Sequence, residues 1–306
     1  MAEDFKPEIA ELKQLSAPFI REENSTSKIM THVLISLLPS LALSGIIFGG
    51  DALMHVGFCI LTSIFWEWLY RLILKKKKTT TDLSAAVTGM LFAYTLPADF
   101  PYWKAAVGTF ISIVIFKQLF GGIGRNVLNP AVAGRLATYF LFRSSFVYPL
   151  PVLLSSDGGH AETSLQSGFD TYGDMMLGRV CGGLGEVSVI AILTGLLYLV
   201  AMRVISLHEP LAFAGTVILF SYISGNDGLY QILAGGTLLA AVYFGSDYTT
   251  TPMTSLGKLI FGFLAGGIVC TLRFFTPIPE ANLVAILIMN LLTLVIDRFI
   301  ETKPRA

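Results

Sequence analysis

Charge is what this chain has least of. Of its 306 residues only 14% are Asp, Glu, Lys or Arg, against about 25% in soluble domains. The 21 basic and 21 acidic residues cancel, so the basic excess that a nucleic-acid partner demands is missing. Cysteine is scarce as well. Cys59, Cys181 and Cys270 stand far apart, which excludes an Fe–S motif and a paired zinc-ligand spacing. Two of them lie in apolar runs, where a thiol packs as a small hydrophobe. The four histidines form no ligand pair, so no metal site is expected. The first thirty residues are charged and amphipathic, without the apolar core of a cleavable signal. No glycine fingerprint follows a strand, which excludes a dinucleotide-binding domain.

What the chain has is apolar sequence, 54% of the total, gathered into ten runs at about 31–49, 52–74, 83–97, 103–121, 129–148, 185–203, 209–224, 229–245, 257–274 and 282–300. A helix needs about 20 residues to cross the hydrocarbon. The expected fold is therefore an all-α integral membrane protein of ten transmembrane helices, the third and seventh short and rich in Gly and Ser. Placing the N-terminus inside puts 16 of the 21 Lys and Arg residues on that side, the distribution that the positive-inside rule favours. Both termini are then cytoplasmic, in a cell (inner or plasma) membrane. The chain divides into an amphipathic segment 1–28, a first five-helix repeat 29–148, a polar extracytoplasmic loop 149–184 and a second five-helix repeat 185–302. Five helices per half reverse the orientation, giving two inverted repeats with broken helices.

The breaks carry the functional expectation. Lys117 to Ala131 ends an apolar run, passes through Gly121, Gly122, Gly124, Asn126 and Asn129, and restarts at Pro130. Phe244 to Met253 echoes it, with Asp247, Thr249, Thr250 and Thr251 ahead of Pro252. Broken backbone survives in a bilayer only where it faces protein or a polar cavity. The segments are either tight turns or the walls of a binding site, with helix N-terminal N–H groups open to an anion or a carbonyl. Glu67, Asp82, Glu186 and Asp247 lie in or beside spans, and buried acids of this kind mark ion paths or local pairs. Glu67 stands one turn from Arg71. Arg135, one turn into the helix after Pro130, suits a carboxylate or a phosphate, or a pair with a span acid.

These segments resemble a known family. Lys117–Ala131 is similar to the KQLFGGLGxNxxNPA segment of the D subunits of Rnf complexes, whose relatives are the B subunits of Na⁺-pumping NADH:quinone reductases. Asp247–Pro252 resembles that family's second turn, and Gly182–Ser188 its G-x-x-G-E-x-S segment. The resemblance spans about residues 28–302. It implies a membrane electron-transfer subunit of a ferredoxin:NAD⁺ oxidoreductase complex that pumps Na⁺ or H⁺. It further implies FMN on the outer side, joined by a phosphoester to a threonine in the motif D-x-x-[ST]-G-A-T. Asp157 and Thr163 match the ends of that motif, with His160, Ala161 and Glu162 in its middle. Thr163 is the expected attachment point, and a second, non-covalent flavin is compatible with the broken turns. Partner subunits bearing Fe–S clusters, flavin and an NAD site must supply the chemistry this chain lacks. Two other functions fit the same pattern of spans: a small-solute channel or carrier, and a structural subunit without flavin.

Overall fold

The computed structural model describes residues 26–75, 82–149, 160–161 and 172–300. Asp157, Thr163 and the segment 1–25 lie outside them. In chain order the helices are α1 (Thr26–Phe48), α2 (Gly50–Ile73), α3 (Ser84–Tyr94), α4 (Tyr102–Phe110, running on as a π-helix over Ile111–Gln118), α5 (Pro130–Leu141), α6 (Tyr172–Leu177), α7 (Val189–Ala201), α8 (His208–Ile223), α9 (Gly228–Leu233), α10 (Thr237–Leu239, running on as a π-helix over Ala240–Phe244), α11 (Ser255–Phe275) and α12 (Ala281–Phe299). Helix falls on every one of the ten apolar runs. By length and apolarity, α1, α2, α11 and α12 suffice to cross a membrane.

Three local features depart from the expected pattern. The eighth run is not continuous, because Gly235 and Gly236 take positive φ and divide it into α9 and α10. The loop between the halves contains α6. It also contains one short antiparallel ladder, β1 (Tyr148–Pro149) against β2 (His160–Ala161), so the fold is helical but not wholly α. Finally, the sixth run turns helical only at Val189, where the Ser188 hydroxyl caps the helix.

The interrupted helices are tied to one another. Beyond the end of α3 the backbone pairs with the segment before α7: Leu184 N–H donates to Leu96 O (3.0 Å) and Gly185 N–H to Tyr94 O (2.9 Å). These bonds satisfy groups that hydrocarbon could not. The Tyr94 hydroxyl donates to Leu37 O (2.6 Å) and that of Tyr243 to Ser36 O (2.9 Å). Both carbonyls lie in the turn of α1 ahead of Pro39, where the proline ring disturbs the helical ladder. At the other side of the fold the Tyr172 hydroxyl of α6 donates to Asp227. That bond, with the α9 N–H groups Asp227 caps, holds its carboxyl below the usual range.

The crossing leaves no room for a side chain at position 185, where a Cβ would stand 2.1 Å from the Tyr94 ring. Gly185→Ala is expected to destabilise the protein by about 1–3 kcal/mol, read as a lower melting temperature in detergent. Gly215→Ala, in open space, should not lower it.

Candidate functional site

The first turn, 119–129, folds back on itself through three glycines at φ +111°, +93° and +78° (Gly121, Gly122 and Gly124), values that side-chain-bearing residues rarely adopt. Oriented to match its surroundings, the buried Asn126 amide donates to the Gly122 and Lys117 carbonyls (3.1 and 3.3 Å). Asn129 then starts α5: its Oδ1 accepts from the Ala131 and Val132 N–H groups (3.0 and 3.3 Å), and Pro130 occupies the first helical position. This corrects one expectation. The N–H groups foreseen as open to an anion are already engaged by the Asn129 side chain.

Asp247 organises the second turn. Its carboxylate accepts from Thr249 N–H (3.2 Å), the Thr249 hydroxyl (3.0 Å) and the Thr250 hydroxyl (3.3 Å), and its carbonyl from the Thr251 hydroxyl (2.8 Å). The hydroxyls of Thr250 and Thr251 thus serve the turn itself. Pro252 does not begin the next helix. α11 starts at Ser255, because the Thr254 hydroxyl accepts from Gly257 N–H (3.0 Å) and caps it there.

The two turns meet. Asn129 Nδ2 donates to Asp247 Oδ2 at 3.1 Å. α12 clamps both: with its amide so oriented, Asn290 Oδ1 accepts from Asn129 N–H (2.9 Å), and the Thr293 hydroxyl donates to Thr250 O (3.0 Å). Both turns therefore lie at one end of the helices, where α2 and α12 finish and α3 begins. Beside them runs a buried charge network. Lys117 Nζ donates to Glu67 Oε2 (2.9 Å) and Ser84 Oγ (2.6 Å). Ser84 donates to Asp82 Oδ1 (2.6 Å), and Arg71 flanks Glu67 at 3.4 Å.

Between the turns is a cavity of about 80 Å³, room for several waters. Its polar lining includes Ser84, Lys117, Asn126, Asn129, Asp247 and Thr249, and most of the rest is apolar. Of the expected site residues the structure gathers Asn126, Asn129 and Asp247 here, and links Glu67 and Asp82 to them through Lys117 and Ser84. Arg135 and Glu186 belong to the opposite end. Arg135 donates to Thr95 O (3.0 Å), the Tyr148 hydroxyl (2.9 Å) and Glu280 Oε1 (2.8 Å). Glu186 sits against Gly236, where a Cβ would approach its carboxyl to 2.7 Å. The same end holds a larger cavity, about 820 Å³, lined in part by Tyr139, Arg143, Phe146, Tyr148 and Arg273. Among the described residues no three His, Cys, Asp or Glu side chains converge as metal ligands.

Lys117 and Glu280 escaped the reading of the sequence. A lysine at the end of an apolar run looks like an orientation anchor. Only the length of its side chain, able to reach a span acid, hinted otherwise.

The model of the NQR2, RnfD, RnfE family matches residues 13–305. The chain is 37% identical over 304 residues to the D subunit of the Na(+)-translocating ferredoxin:NAD(+) oxidoreductase complex of Acetobacterium woodii, covering 95% of this chain and 93% of that one. It is 32% identical to the D subunit of the proton-translocating ferredoxin:NAD(+) oxidoreductase complex of Clostridium ljungdahlii, covering 94% of each. With the B subunit of the Na(+)-translocating NADH-quinone reductase of Chromohalobacter salexigens it shares 34% over 257 residues, 77% of this chain and 62% of that one.

Glu67 and Lys117 are almost wholly buried, so losing Lys117 leaves the Glu67 charge to the longer contact with Arg71. Lys117→Met should cost about 3–5 kcal/mol. The double variant Glu67→Gln/Lys117→Met should melt closer to the unsubstituted protein than either single variant does.

Proposed function

Because the chain belongs to the NQR2, RnfD, RnfE family, we propose that it is the membrane electron-transfer subunit of an ion-translocating ferredoxin:NAD⁺ oxidoreductase complex, carrying FMN at the outer side of the membrane. The helical runs are ten crossings in two inverted five-helix halves, with both termini cytoplasmic. The chamber at the turn end then faces the cytoplasm. The partners are subunits that bear Fe–S clusters, a flavin and the NAD site.

The observation that carries the flavin reading is the cavity opposite the turns. Its wall includes Tyr148 of β1, and β1 pairs with β2, which ends two residues before Thr163. Thr163, the expected attachment point, lies outside the described residues. The cavity suits a flavin phosphate. Arg143 and Arg273 supply cationic donors for phosphate or an electron-rich ring, and Tyr139 and Phe146 supply flat apolar faces. A bound flavin provides the one- and two-electron chemistry that no side chain has. The residues here do the rest. Arg273, held by Gln231, Gly235, Thr237 and Asn282, offers positive charge from a fixed position. The opposed chamber, with Asp247 between Asn129 and the threonine hydroxyls, suits a small cation of the kind the relatives are named for, Na⁺ or H⁺. An electron moved across the membrane carries about 2.3 kcal/mol per 100 mV, which couples the two ends energetically.

Denaturing gels read the attachment directly. A fluorescent band at the mass of this chain is expected under ultraviolet light, and it should vanish in Thr163→Ala. A band that survives the substitution refutes the attachment site. A dark band in the unsubstituted protein favours a carrier or structural subunit instead.

A further inference from the structure

Glu209 stands in the first turn of α8, 1% exposed, and neither carboxylate oxygen has a hydrogen-bond partner among the described residues. The other acids described at the turns are engaged: Glu67 by Lys117, Asp82 by Ser84, and Asp247 by Asn129 and the threonines. A buried carboxylate that lacks donors must carry its counter-charge with it. The packing aims this one at a definite place. α8 approaches α11 so closely that a Cβ at Gly262 would come within 2.5 Å of Glu209 O. The carboxyl reaches the bare Cα of Gly245, where the π-helix of α10 passes into the second turn. A Cβ on Gly245 would stand 2.1 Å from Glu209 Oε1 and 3.2 Å from Ala241 O. The carboxyl is therefore packed directly against the Gly245 backbone, two residues from Asp247. The charged side chain that faces Glu209 is Lys258 of α11. Its ammonium is turned to Ser206 Oγ at 3.3 Å and makes no ion pair with Glu209.

We propose that Glu209 is a cation-binding carboxyl beside the second turn, taking a monovalent cation (a proton or Na⁺) on the carboxylate oxygens that no described residue engages. Binding cancels the buried charge. When the cation leaves, Lys258 supplies the replacing positive charge. The site is separate from the Asp247 chamber and adjoins it along the backbone, so it serves as a station for the ion that the proposed complex moves, and its meaning rests on that function.

The test is infrared difference spectroscopy on the purified multi-subunit complex, comparing Glu209→Gln with the unsubstituted protein. In Na⁺-free buffer a protonated-carboxyl C=O band is expected that titrates away with added Na⁺ or with rising pH and is missing from the variant. Superimposable spectra throughout the titration overturn the proposal. Should Glu209→Gln fail to assemble, Lys258→Met answers the same question: removing the competing ammonium should move the titration midpoint by roughly tenfold in cation concentration, and an unmoved midpoint overturns it. Redox-driven ion uptake in vesicles separates the two levels. Uptake without a Glu209 band defeats this site alone, whereas a Glu209 band without uptake defeats the translocase reading.

Discussion

The hydrogen bond between Asn129 and Asp247 is the contact on which the rest of this fold depends. Hydrocarbon offers no water to backbone that leaves a helix, so each interruption must find its partners inside the protein. The first turn solves this with glycines and two asparagines, the second with an aspartate and three threonines, and neither solution is complete alone. Joined, they close a polar chamber among apolar helices. α12 holds the joint from behind through Asn290 and Thr293.

Charge is handled in the same manner at both ends. Lys117 neutralises Glu67 and orders Ser84 at the start of α3, so one ammonium binds the ends of α2, α3 and α4. Arg135 does the corresponding work at the far end, tying α5 to Thr95, Tyr148 and Glu280. A chain this poor in charge places most of its buried ions at junctions between elements, where a broken pair would cost several kcal/mol. The two ends remain chemically distinct. One is a small chamber with an acid at its centre, the other a wide cavity with arginines and aromatic rings. That polarity suits a protein that meets a cation on one side and an electron-rich group on the other.

Much of this was legible in the residues, for physical reasons that can be named. Apolar runs locate helices because the bilayer demands them, and Gly121, Gly122 and Pro130 mark a turn because few other residues tolerate those conformations. Asn126, Asn129 and Asp247 stood out as polar groups without water, and they do converge. The sequence was silent where the outcome depends on three-dimensional approach. The break at Gly235 and Gly236 hides in an apolar run, since its cause is the pair of positive φ values rather than any polar signal. Arg135 reads in the sequence as a group that holds a carboxylate or a phosphate or pairs with a span acid; its partner is the carboxylate of Glu280, which spacing along the chain could not name. Pro252 looked like a helix start by analogy with Pro130, but the Thr254 cap outcompetes it. Asp157 and Thr163 lie outside the described residues.

The most direct test of the central contact exploits the near-equivalence of Asn and Asp as helix caps. Asn129→Asp keeps the cap on α5 but sets two carboxylates face to face. The exchange Asn129→Asp/Asp247→Asn restores one donor and one acceptor. Redox-driven ion uptake by the assembled complex should collapse in Asn129→Asp and recover substantially in the exchanged pair, a coupling that only touching side chains produce. If the exchanged pair is no better than the single variants, the two turns do not meet and the chamber between them does not exist.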